Sequence, residues 1–389
     1  MADHKSTSSF NARDLLVPYK PPEWAAELQS VPKYKVHLGN DDTPIHRWYL
    51  PNIPDDFEVY IKREDMTGAE LSGNKVKKLE FILADVVDRG YTTVITAGSI
   101  VSNHCRCTAL ACRRLGLQAH LIVRSPTSNP DEVPCTGNTL LYRMAGAKVY
   151  LAPHKADIYT ELLPRIQQLA DKLKKDKKVD AYPIDMGGST SIGVFGCIEG
   201  FRELMDQGLF DKYSDIAVGV GSAGNVAGLA IGNYLTGSKV RIHGFCVAHD
   251  GPHLIYEVNR LLEELGLRKS TQSPSAGPVN AQDIIYIVED ARGLGFTVSE
   301  QKELEFLYNV TESTGIVLDA TYAGKAAFSL VQQLQENPGR FQGNKILFMH
   351  TGGIFGLFDG RMDSVIKQNT TKNIHNWMEL SDDVPFQVQ

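Results

Sequence analysis

Residues 92–116 read TTVITAGSIVSNHCRCTALACRRLG, and this stretch decides the fold class. Its first residues, Thr92–Ala97, are β-branched or apolar and predict a buried strand. Asn103–Leu115 then predicts a helix, which ends near Gly116. A strand followed directly by a helix is the repeating unit of a mostly parallel sheet.

The same alternation continues along the chain and falls into two sets of elements. The first set has further strands at Ala119–Val123, Lys148–Leu151 and Asp180–Asp185, and helices at Thr139–Ala145 and Ile158–Leu173. The second set has strands at Asp215–Val220, Lys239–Val247 and Lys345–Met349, a helix from about Asn225 and another at Tyr256–Leu265. The sequence therefore predicts an α/β protein with two open, twisted, mostly parallel sheets flanked by helices.

The length of 389 residues also favours two lobes, because it is too great for one small core. We expect a small lobe at residues 86–194, a large lobe at residues 1–85 and 195–389, and an active site in the cleft between them. Ser270–Pro278 predicts an exposed loop. Thr297 and Glu300 form a capping-box pattern ahead of the helix that carries Leu304.

Composition and charge argue against several classes of partner. The chain is 42% hydrophobic and 22% charged, and its net charge of −6 includes no long basic block that could follow nucleic acid or an anionic membrane. Met1–Phe10 lacks the apolar stretch of a secretion signal, and no later run approaches the ~20 apolar residues of a membrane span. We therefore expect a cytoplasmic protein, although Arg13 and nearby serines leave a transit peptide open.

Six cysteines in such a chain predict reduced thiols rather than a disulfide framework. Cys105, Cys107 and Cys112 lie beside His104, but on a helix Cys107 points roughly 200° away from Cys105. The three thiols cannot easily meet one ion, so we expect no metal site.

Lys75 follows the turn Ser72-Gly73-Asn74 and precedes apolar residues at near-helical spacing. It therefore lies in the first turn of an amphipathic helix, whose partial positive charge disfavours an ammonium and helps to supply a neutral amine. Taken alone, the position favours an exposed surface lysine, as we also expect of Lys77 and Lys78.

A glycine-rich loop, Gly219–Asn225, connects a predicted strand to a predicted helix. Its backbone N–H groups and small side chains are typical of a phosphate site. Gly219, Gly221 and Gly224 also fit a dinucleotide fingerprint, which leaves a nicotinamide enzyme open, although the next strand ends without the acidic residue that would bind the ribose. A purely structural turn is the third alternative.

Three further segments place polar groups at the ends of predicted strands. Ser102–Arg106 (SNHCR) could hold a carboxylate on backbone N–H groups, and His104 could act as a base, although Ser and Asn are also ordinary helix caps. Tyr322, in the run LDATYAGKA, could stack on a ring or move a proton. Thr351-Gly352-Gly353 follows the last strand, where α/β sheets tend to bind ligands.

In this order the segments SGNKVKKLEF, SNHCR, GSAGNVAG, LDATYAGKA and HTGG resemble the D-cysteine desulfhydrase / 1-aminocyclopropane-1-carboxylate deaminase family of pyridoxal-phosphate enzymes (fold type II, tryptophan-synthase-like). The resemblance covers about Val59 to Gly360. It implies pyridoxal 5'-phosphate as cofactor, a small amino acid as substrate and a homodimer.

The resemblance also implies a role for each site residue. Lys75 is the Schiff-base lysine, and Asn103 binds the phenolic oxygen of the cofactor. Ser102 and Tyr322 are further catalytic residues, and both also contact the substrate, with Asn103 and His104. Thr351 lies near the cofactor. The phosphate is held by a loop that comprises Gly221, Ser222, Ala223, Gly224, Asn225 and Val226.

Two positions separate the activities within the family. Deaminases resemble one another in having Glu directly after the tyrosine and Leu directly after the last histidine, whereas desulfhydrases usually carry small hydroxyl residues at both positions. This chain has Ala323 and Thr351, so Thr351 agrees with a desulfhydrase and Ala323 departs from both patterns. A carboxylate at the first position would keep the pyridine nitrogen protonated and strengthen the electron sink. We therefore expect α,β-elimination of D-cysteine to pyruvate, hydrogen sulfide and ammonia, with the deaminase as alternative. Elimination from another small amino acid and a cleft-type binding protein for a small anion also stay open.

Overall fold

The computed structural model describes residues 10–268 and 278–376. Within these ranges the strands are β1 (Val17–Pro18), β2 (Tyr34–Lys35), β3 (Ile45–Arg47), β4 (Glu58–Lys62), β5 (Thr93–Ser99), β6 (Gln118–Ser125), β7 (Lys148–Pro153), β8 (Ala181–Pro183), β9 (Asp215–Val220), β10 (Arg241–Cys246), β11 (Tyr286–Val288) and β12 (Lys345–Met349). The helices are α1 (Lys75–Asp88), α2 (Asn103–Arg114), α3 (Gly137–Met144), α4 (Leu163–Lys177), α5 (Ser191–Asp206), α6 (Leu209–Lys212), α7 (Gly224–Leu235), α8 (Gly251–Glu264), α9 (Ala281–Ile284), α10 (Gln301–Thr314), α11 (Ala323–Glu336) and α12 (Asp363–Thr370).

Two parallel sheets organise the molecule. One has four strands in the order β7-β6-β5-β8, and all its neighbouring pairs are parallel. The other has six strands in the order β11-β10-β9-β12-β4-β3, and β3 is antiparallel to β4. The remaining strands, β1 and β2, form a short antiparallel ribbon. The predicted α/β class with two mostly parallel sheets is confirmed.

Helix α1 packs on both sheets. Its residues Leu79, Ile82 and Val86 belong to the core of the four-stranded sheet. Phe81 belongs to the core of the six-stranded sheet, where it meets α5 residues such as Phe195. Helix α1 therefore contributes to the cores of both sheets, while the division into lobes after residues 85 and 194 stays a prediction.

Helix α4 begins later than the sequence indicates. Ile158–Leu162 forms a π-helical turn, and α4 itself starts at Leu163. The Asp157 carboxylate caps this turn, since it accepts the N–H groups of Tyr159 at 3.0 Å and Thr160 at 2.9 Å.

The predicted capping box at Thr297 and Glu300 is wrong by one turn. The box joins Glu300 to Glu303, whose carboxylate accepts the Glu300 N–H at 2.8 Å. Thr297 has a φ of 63° and so cannot cap the helix in the extended conformation that caps require. The loop expected at Ser270–Pro278 lies outside the described residues, except for Pro278. No helix in the described part of the chain is long and apolar enough to cross a bilayer.

Candidate active site

A cavity of about 280 Å³ lies where strands of both sheets end. The segments that follow β5, β9 and β12 converge there with the first turn of α1. Carboxyl ends of parallel strands are the usual ligand-binding edge of such sheets. Most predicted site residues line this cavity, namely Lys75, Ser102, Asn103, His104, Gly221, Ser222, Ala223, Asn225, Tyr322 and Thr351. Gly224 and Val226 instead lie behind its wall, and Val226 belongs to the core.

The turn before α1 fixes the position of Lys75. Gly73 has a φ of 97°, and a Cβ at this residue would lie 2.6 Å from the carbonyl oxygen of Thr351. The same oxygen accepts the N–H of Asn74 at 3.2 Å. Only glycine allows this close approach, so the turn ties the start of α1 to the segment after β12.

The Lys75 amine is desolvated at the cavity wall. Its Nζ lies 3.1 Å from Ser222 Oγ and 3.4 Å from the carbonyl oxygen of Gly187. Burial, and then the nearby charge of Lys78, hold the pKa of Lys75 well below its ordinary value. The direction of this shift favours a neutral amine, and burial rather than the helix terminus is its main cause.

Lys77 and Lys78 are not surface residues, which corrects the sequence-based expectation. Lys77 is 7% exposed and Lys78 is fully buried. Lys77 forms ion pairs with Glu64 at 3.3 Å and Glu203 at 2.7 Å. Lys78 Nζ donates instead to the carbonyl oxygen of Gly187 at 3.1 Å. Charged side chains are buried here because α1 is enclosed by both sheets.

The loop after β9 has the properties of an anion site. The N-cap residue of α7, Ala223, offers no capping side chain, so apart from that of Gly224 the first N–H groups of the helix remain available to a ligand. Asn225 Nδ2 is buried and has no hydrogen-bond partner among the described residues. The Gly224 N–H donates to Ser189 Oγ at 3.0 Å, which fixes the loop from behind. An unpaired buried donor beside a helix N terminus favours a bound anion.

The start of α2 forms the opposite wall. Ser102 caps the helix, because its Oγ accepts the Cys105 N–H at 3.2 Å. A Cβ on Gly98 would lie 2.7 Å from Ser102 Oγ, so glycine at 98 lets the cap lie close against β5. Asn103 Oδ1 is buried without a hydrogen-bond partner in the described chain. Its amide is thus available to a ligand in the cavity.

His104 lies in this wall as a neutral imidazole. The Thr96 hydroxyl donates to the carbonyl oxygen of Ile184 at 2.8 Å, so His104 Nε2 must donate its own proton to Thr96 Oγ1 at 3.0 Å. Burial, and then the charges of Lys75 and Lys78, hold the pKa of His104 well below 6.5. This nitrogen is therefore occupied, and only Nδ1 is left to accept a proton or a hydrogen bond.

Tyr322 is positioned by the buried carboxylate of Asp319. Asp319 accepts the N–H groups of Thr321, Tyr322 and Ala323 at 2.7–3.0 Å. Burial raises the pKa of Asp319 to about 6 and also raises the pKa of the Tyr322 phenol. The Tyr322 ring lies 5.9 Å from that of Phe296. Tyr322 thus presents a neutral hydroxyl, and the buried Ala323 offers no carboxylate.

Sequence reasoning missed the outer wall of the cavity, which comprises Arg124, Tyr159, Ser189, His249, His253, Tyr256, Glu257, Arg260 and Phe296. Arg260 connects this wall, since it donates to the carbonyl oxygen of Ser189 at 2.9 Å and to Glu257 at 2.9 Å. Tyr159 donates to Glu257 at 2.6 Å. One feature of the sequence could have indicated part of this wall. It is the turn Gly187-Gly188-Ser189-Thr190, because two adjacent glycines are typical of a close backbone approach.

The cysteines near the cavity are free thiols. Burial raises the pKa of Cys105 to about 12. Within residues 10–268 and 278–376 no group of His, Cys, Asp and Glu side chains is arranged to hold a metal ion.

Comparison with known proteins gives consistent matches over most of the chain. The family described as pyridoxal-phosphate dependent enzyme matches residues 36–352. A bifunctional D-cysteine desulfhydrase/1-aminocyclopropane-1-carboxylate deaminase of Arabidopsis thaliana, named as mitochondrial, is 42% identical over 98% of this chain and 92% of the relative. A D-cysteine desulfhydrase of Salmonella paratyphi A is 32% identical over 83% of this chain and 95% of its own.

Solved structures give the same result for the fold. The crystal structure of an ACC deaminase homologue superimposes with a TM-score of 0.74 and 31% identity. The match covers 90% of this chain and 99% of that chain.

Proposed function

The chain belongs to the D-cysteine desulfhydrase / 1-aminocyclopropane-1-carboxylate deaminase family of pyridoxal-phosphate-dependent lyases with fold type II, and we propose that its substrate is D-cysteine. Loss of the α-proton and the β-thiolate, followed by hydrolysis, converts D-cysteine and water into pyruvate, hydrogen sulfide and ammonia. Family membership removes the nicotinamide oxidoreductase and the cleft-type binding protein from consideration.

The cavity has groups that suit pyridoxal phosphate. Lys75 offers a neutral amine for the cofactor's aldehyde, and the α7 N terminus with the unpaired Asn225 amide suits its phosphate. We assign the phosphate to backbone N–H groups in Ser222–Val226, with Gly221 and Thr351 beside the cofactor. The side chains of this loop are small, so the backbone can approach a phosphate closely. We assign the phenolic oxygen to the NH2 group of Asn103, whose buried Oδ1 has no hydrogen-bond partner in the described chain.

The proposed mechanism assigns the proton transfer to Lys75. Pyridoxal phosphate supplies an electron sink for the pair of electrons left at the α-carbon. Lys75 Nζ would take the α-proton of the bound substrate, a role that its lowered pKa favours. The adjacent hydroxyl of Ser222, 3.1 Å away, holds this nitrogen in place.

We assign substrate recognition to the wall at the start of α2. The substrate carboxylate fits the first N–H groups of this helix, with the Ser102 hydroxyl and the Asn103 amide beside it. His104 contributes a neutral ring that does not repel the substrate amine. Ser102 lies closest to the reacting carbon in this arrangement, and Tyr322 is assigned to the substrate amine and the cofactor ring.

Ala323 is the observation that carries the choice of D-cysteine. Its side chain is 1% exposed and its N–H is bound to Asp319, so the position after the tyrosine offers only a methyl group. Without a carboxylate there, the electron sink is weaker. Expulsion of thiolate needs less assistance than loss of hydroxide, because the conjugate acid of thiolate has the lower pKa. Thiolate elimination is therefore the reaction best suited to this site.

The deciding experiment compares three substrates on the purified protein with pyridoxal phosphate added. Pyruvate and sulfide are measured from D-cysteine and L-cysteine, and ammonia from 1-aminocyclopropane-1-carboxylate. The proposal expects D-cysteine to give the highest kcat/KM. Faster ammonia release from 1-aminocyclopropane-1-carboxylate would overturn it and leave the deaminase, the second activity in the name of the Arabidopsis relative. An Ala323→Glu variant should shift the ratio towards the deaminase.

Cytoplasmic location and a homodimer stay predictions that this proposal includes. The Arabidopsis relative is named as mitochondrial, so fractionation of cells that express the full chain is the appropriate test of location. Sedimentation of the holoenzyme tests the dimer.

A further inference from the structure

Arg124 is an unpaired cation in the cavity wall. It lies at the end of β6 and lines the cavity. Its guanidinium makes no hydrogen bond or ion pair with any residue in 10–268 or 278–376. It lies over the ring of Phe296, with 5.9 Å between Arg124 Cζ and the centre of that ring. The other buried guanidinium near the site, Arg106, donates to Asn138 at 2.8 Å and to the carbonyl oxygen of Ser72 at 3.0 Å. A half-buried guanidinium with five unused donors favours a ligand that accepts them.

Arg124 lies on the side of the cavity that faces Tyr322. Phe296, over whose ring it lies, is 5.9 Å from the Tyr322 ring. Its charge also reaches His249, whose pKa of about 4 is set first by burial, then by His253 and Arg124. Burial lowers the pKa of Arg124 itself, and the charge of Asp157 acts against this effect. Asp157 makes no ion pair with Arg124, because its carboxylate instead binds the N–H groups of Tyr159 and Thr160.

The other charges of the cavity leave Arg124 uncompensated. Asp185 and Glu257 are the carboxylates of the described cavity wall, and both pair with Arg260, at 3.8 Å and 2.9 Å. The two helix N termini already have assigned ligands, the phosphate at α7 and the substrate carboxylate at α2. An anionic group in the remainder of the substrate would therefore complement Arg124.

We infer that Arg124 binds a negatively charged β-substituent, so that the enzyme prefers alanines substituted at the β-carbon with a thiolate, a sulfonate or a similar anion. This inference rests on the proposed β-elimination and extends it to a substrate class. D-Cysteine belongs to the class in its thiolate form, since a free thiol ionises near a pKa of about 8.5. The ring carbons of 1-aminocyclopropane-1-carboxylate carry no charge and offer Arg124 nothing to bind.

The test compares two ligands that differ in β-charge. D-Cysteate has a sulfonate at the β-carbon, and D-alanine has only hydrogen there. Their dissociation constants are measured from the change in visible absorbance immediately after each is mixed with the holoenzyme, so the readout does not depend on turnover. The proteins are the wild type, Arg124→Gln and the control Arg292→Gln, which removes an exposed charge outside the cavity. Thermal unfolding checks that each variant is folded.

We expect the wild type and Arg292→Gln to bind D-cysteate at least about tenfold more tightly than D-alanine. In Arg124→Gln this ratio should fall to about one, while the affinity for D-alanine stays the same. An unchanged ratio in Arg124→Gln would overturn the inference. Equal weakening of both ligands would also overturn it, because Arg124 would then bind the α-carboxylate. If the ratio behaves as expected but D-cysteine yields no pyruvate, the proposed reaction is wrong and the anion site stands.

Discussion

Two groups of buried lysines lie side by side at the start of α1, and only one of them has carboxylate partners. The first group, which we call the amine pocket, comprises Lys75 and Lys78. No carboxylate of the described chain lies within 4 Å of either Nζ atom. Their contacts are hydroxyl and carbonyl oxygens, and burial lowers the pKa of both.

The second group, the ion-pair cluster, comprises Lys62, Lys77, Glu64 and Glu203. Glu203 accepts from Lys62 through Oε1 and from Lys77 through Oε2, and Glu64 lies 3.3 Å from Lys77. Burial alone would lower the pKa of Lys77, but the charges of Glu64 and Glu203 outweigh it and raise the pKa.

This difference shows that the presence of a carboxylate partner, rather than burial, decides whether a buried lysine is a reactive amine or part of a structural ion pair. Residues three apart on a helix share a face, whereas residues two apart point roughly 200° away from each other. Lys75 and Lys78 therefore face the cavity together, and Lys77 faces the carboxylates. Desolvation without a counter-charge yields a reactive amine, and desolvation with one yields a structural ion pair.

Removal of the Lys75 amine should have the largest effect. Lys75→Ala is expected to lower turnover of D-cysteine by at least about 10²–10⁴-fold, because the other amine of the pocket, Lys78, contacts Gly187 and Ser189 and does not contact Ser222. Its thermal unfolding should stay close to that of the wild type, since the lost contacts are two weak hydrogen bonds. Turnover at the wild-type rate in this variant would contradict the distinction between the amine pocket and the ion-pair cluster.

Disruption of the ion-pair cluster should act on stability instead. Glu203→Gln leaves two buried lysines without their shared carboxylate and is expected to lower the free energy of unfolding by about 3–5 kcal/mol. The matched control on the same helix is Asp206→Asn, whose pair with Arg202 at 3.6 Å is exposed, and we expect it to cost about 1 kcal/mol or less. Equal losses in urea-induced unfolding of the two apoenzymes would contradict this account.

Glu80 is the opposite case on the same helix, a buried carboxylate that forms no ion pair with a lysine of the described residues. It accepts the N–H groups of Leu38 at 2.8 Å and Gly39 at 3.2 Å, yet burial raises its pKa from 4.5 to about 7. The folded state therefore binds an extra proton between these values, and its contribution to stability is present below pH 4.5 and lost as pH rises through 7.

Glu80→Gln removes this dependence on pH. Relative to the wild type, its free energy of unfolding should rise by up to about 3 kcal/mol between pH 4 and pH 8, because each pKa unit corresponds to about 1.36 kcal/mol. Urea unfolding at several pH values measures the difference. A difference that does not change with pH would show that Glu80 ionises normally.

The smallest effect is expected at Lys78. Its amine lies 3.5 Å from Ser189 Oγ, which in turn accepts the Gly224 N–H at the start of α7. Lys78→Met should weaken binding of pyridoxal phosphate by about fivefold, because it removes the amine that contacts the hydroxyl that fixes the start of α7. Equilibrium dialysis of the cofactor measures this directly. A complete loss of turnover with unchanged cofactor affinity would assign Lys78 a role in the chemistry instead.

Regular elements of the fold were predictable because local patterns determine them. The strands Asp215–Val220 and Lys345–Met349 and the start of α1 at Lys75 lie where the sequence placed them. Runs of β-branched residues and glycine turns act within a few residues and need no knowledge of distant contacts.

Burial of Lys77 and the outer cavity wall could not be predicted in the same way. Glu64 and Glu203, which make burial of Lys77 possible, lie 13 and 126 residues away from it along the chain. Arg124 is an ordinary arginine at a strand end until Phe296, far along the chain, is packed against it. Such features depend on tertiary contacts, and a single sequence does not reveal them.

The most direct test of the central claim identifies which lysine holds the cofactor. Borohydride reduction of the holoenzyme fixes pyridoxal phosphate covalently to that lysine, and peptide mass spectrometry then locates it. The account predicts one modified residue, Lys75, with Lys62, Lys77 and Lys78 unmodified. Modification of Lys78 or Lys77 in place of Lys75 would contradict it.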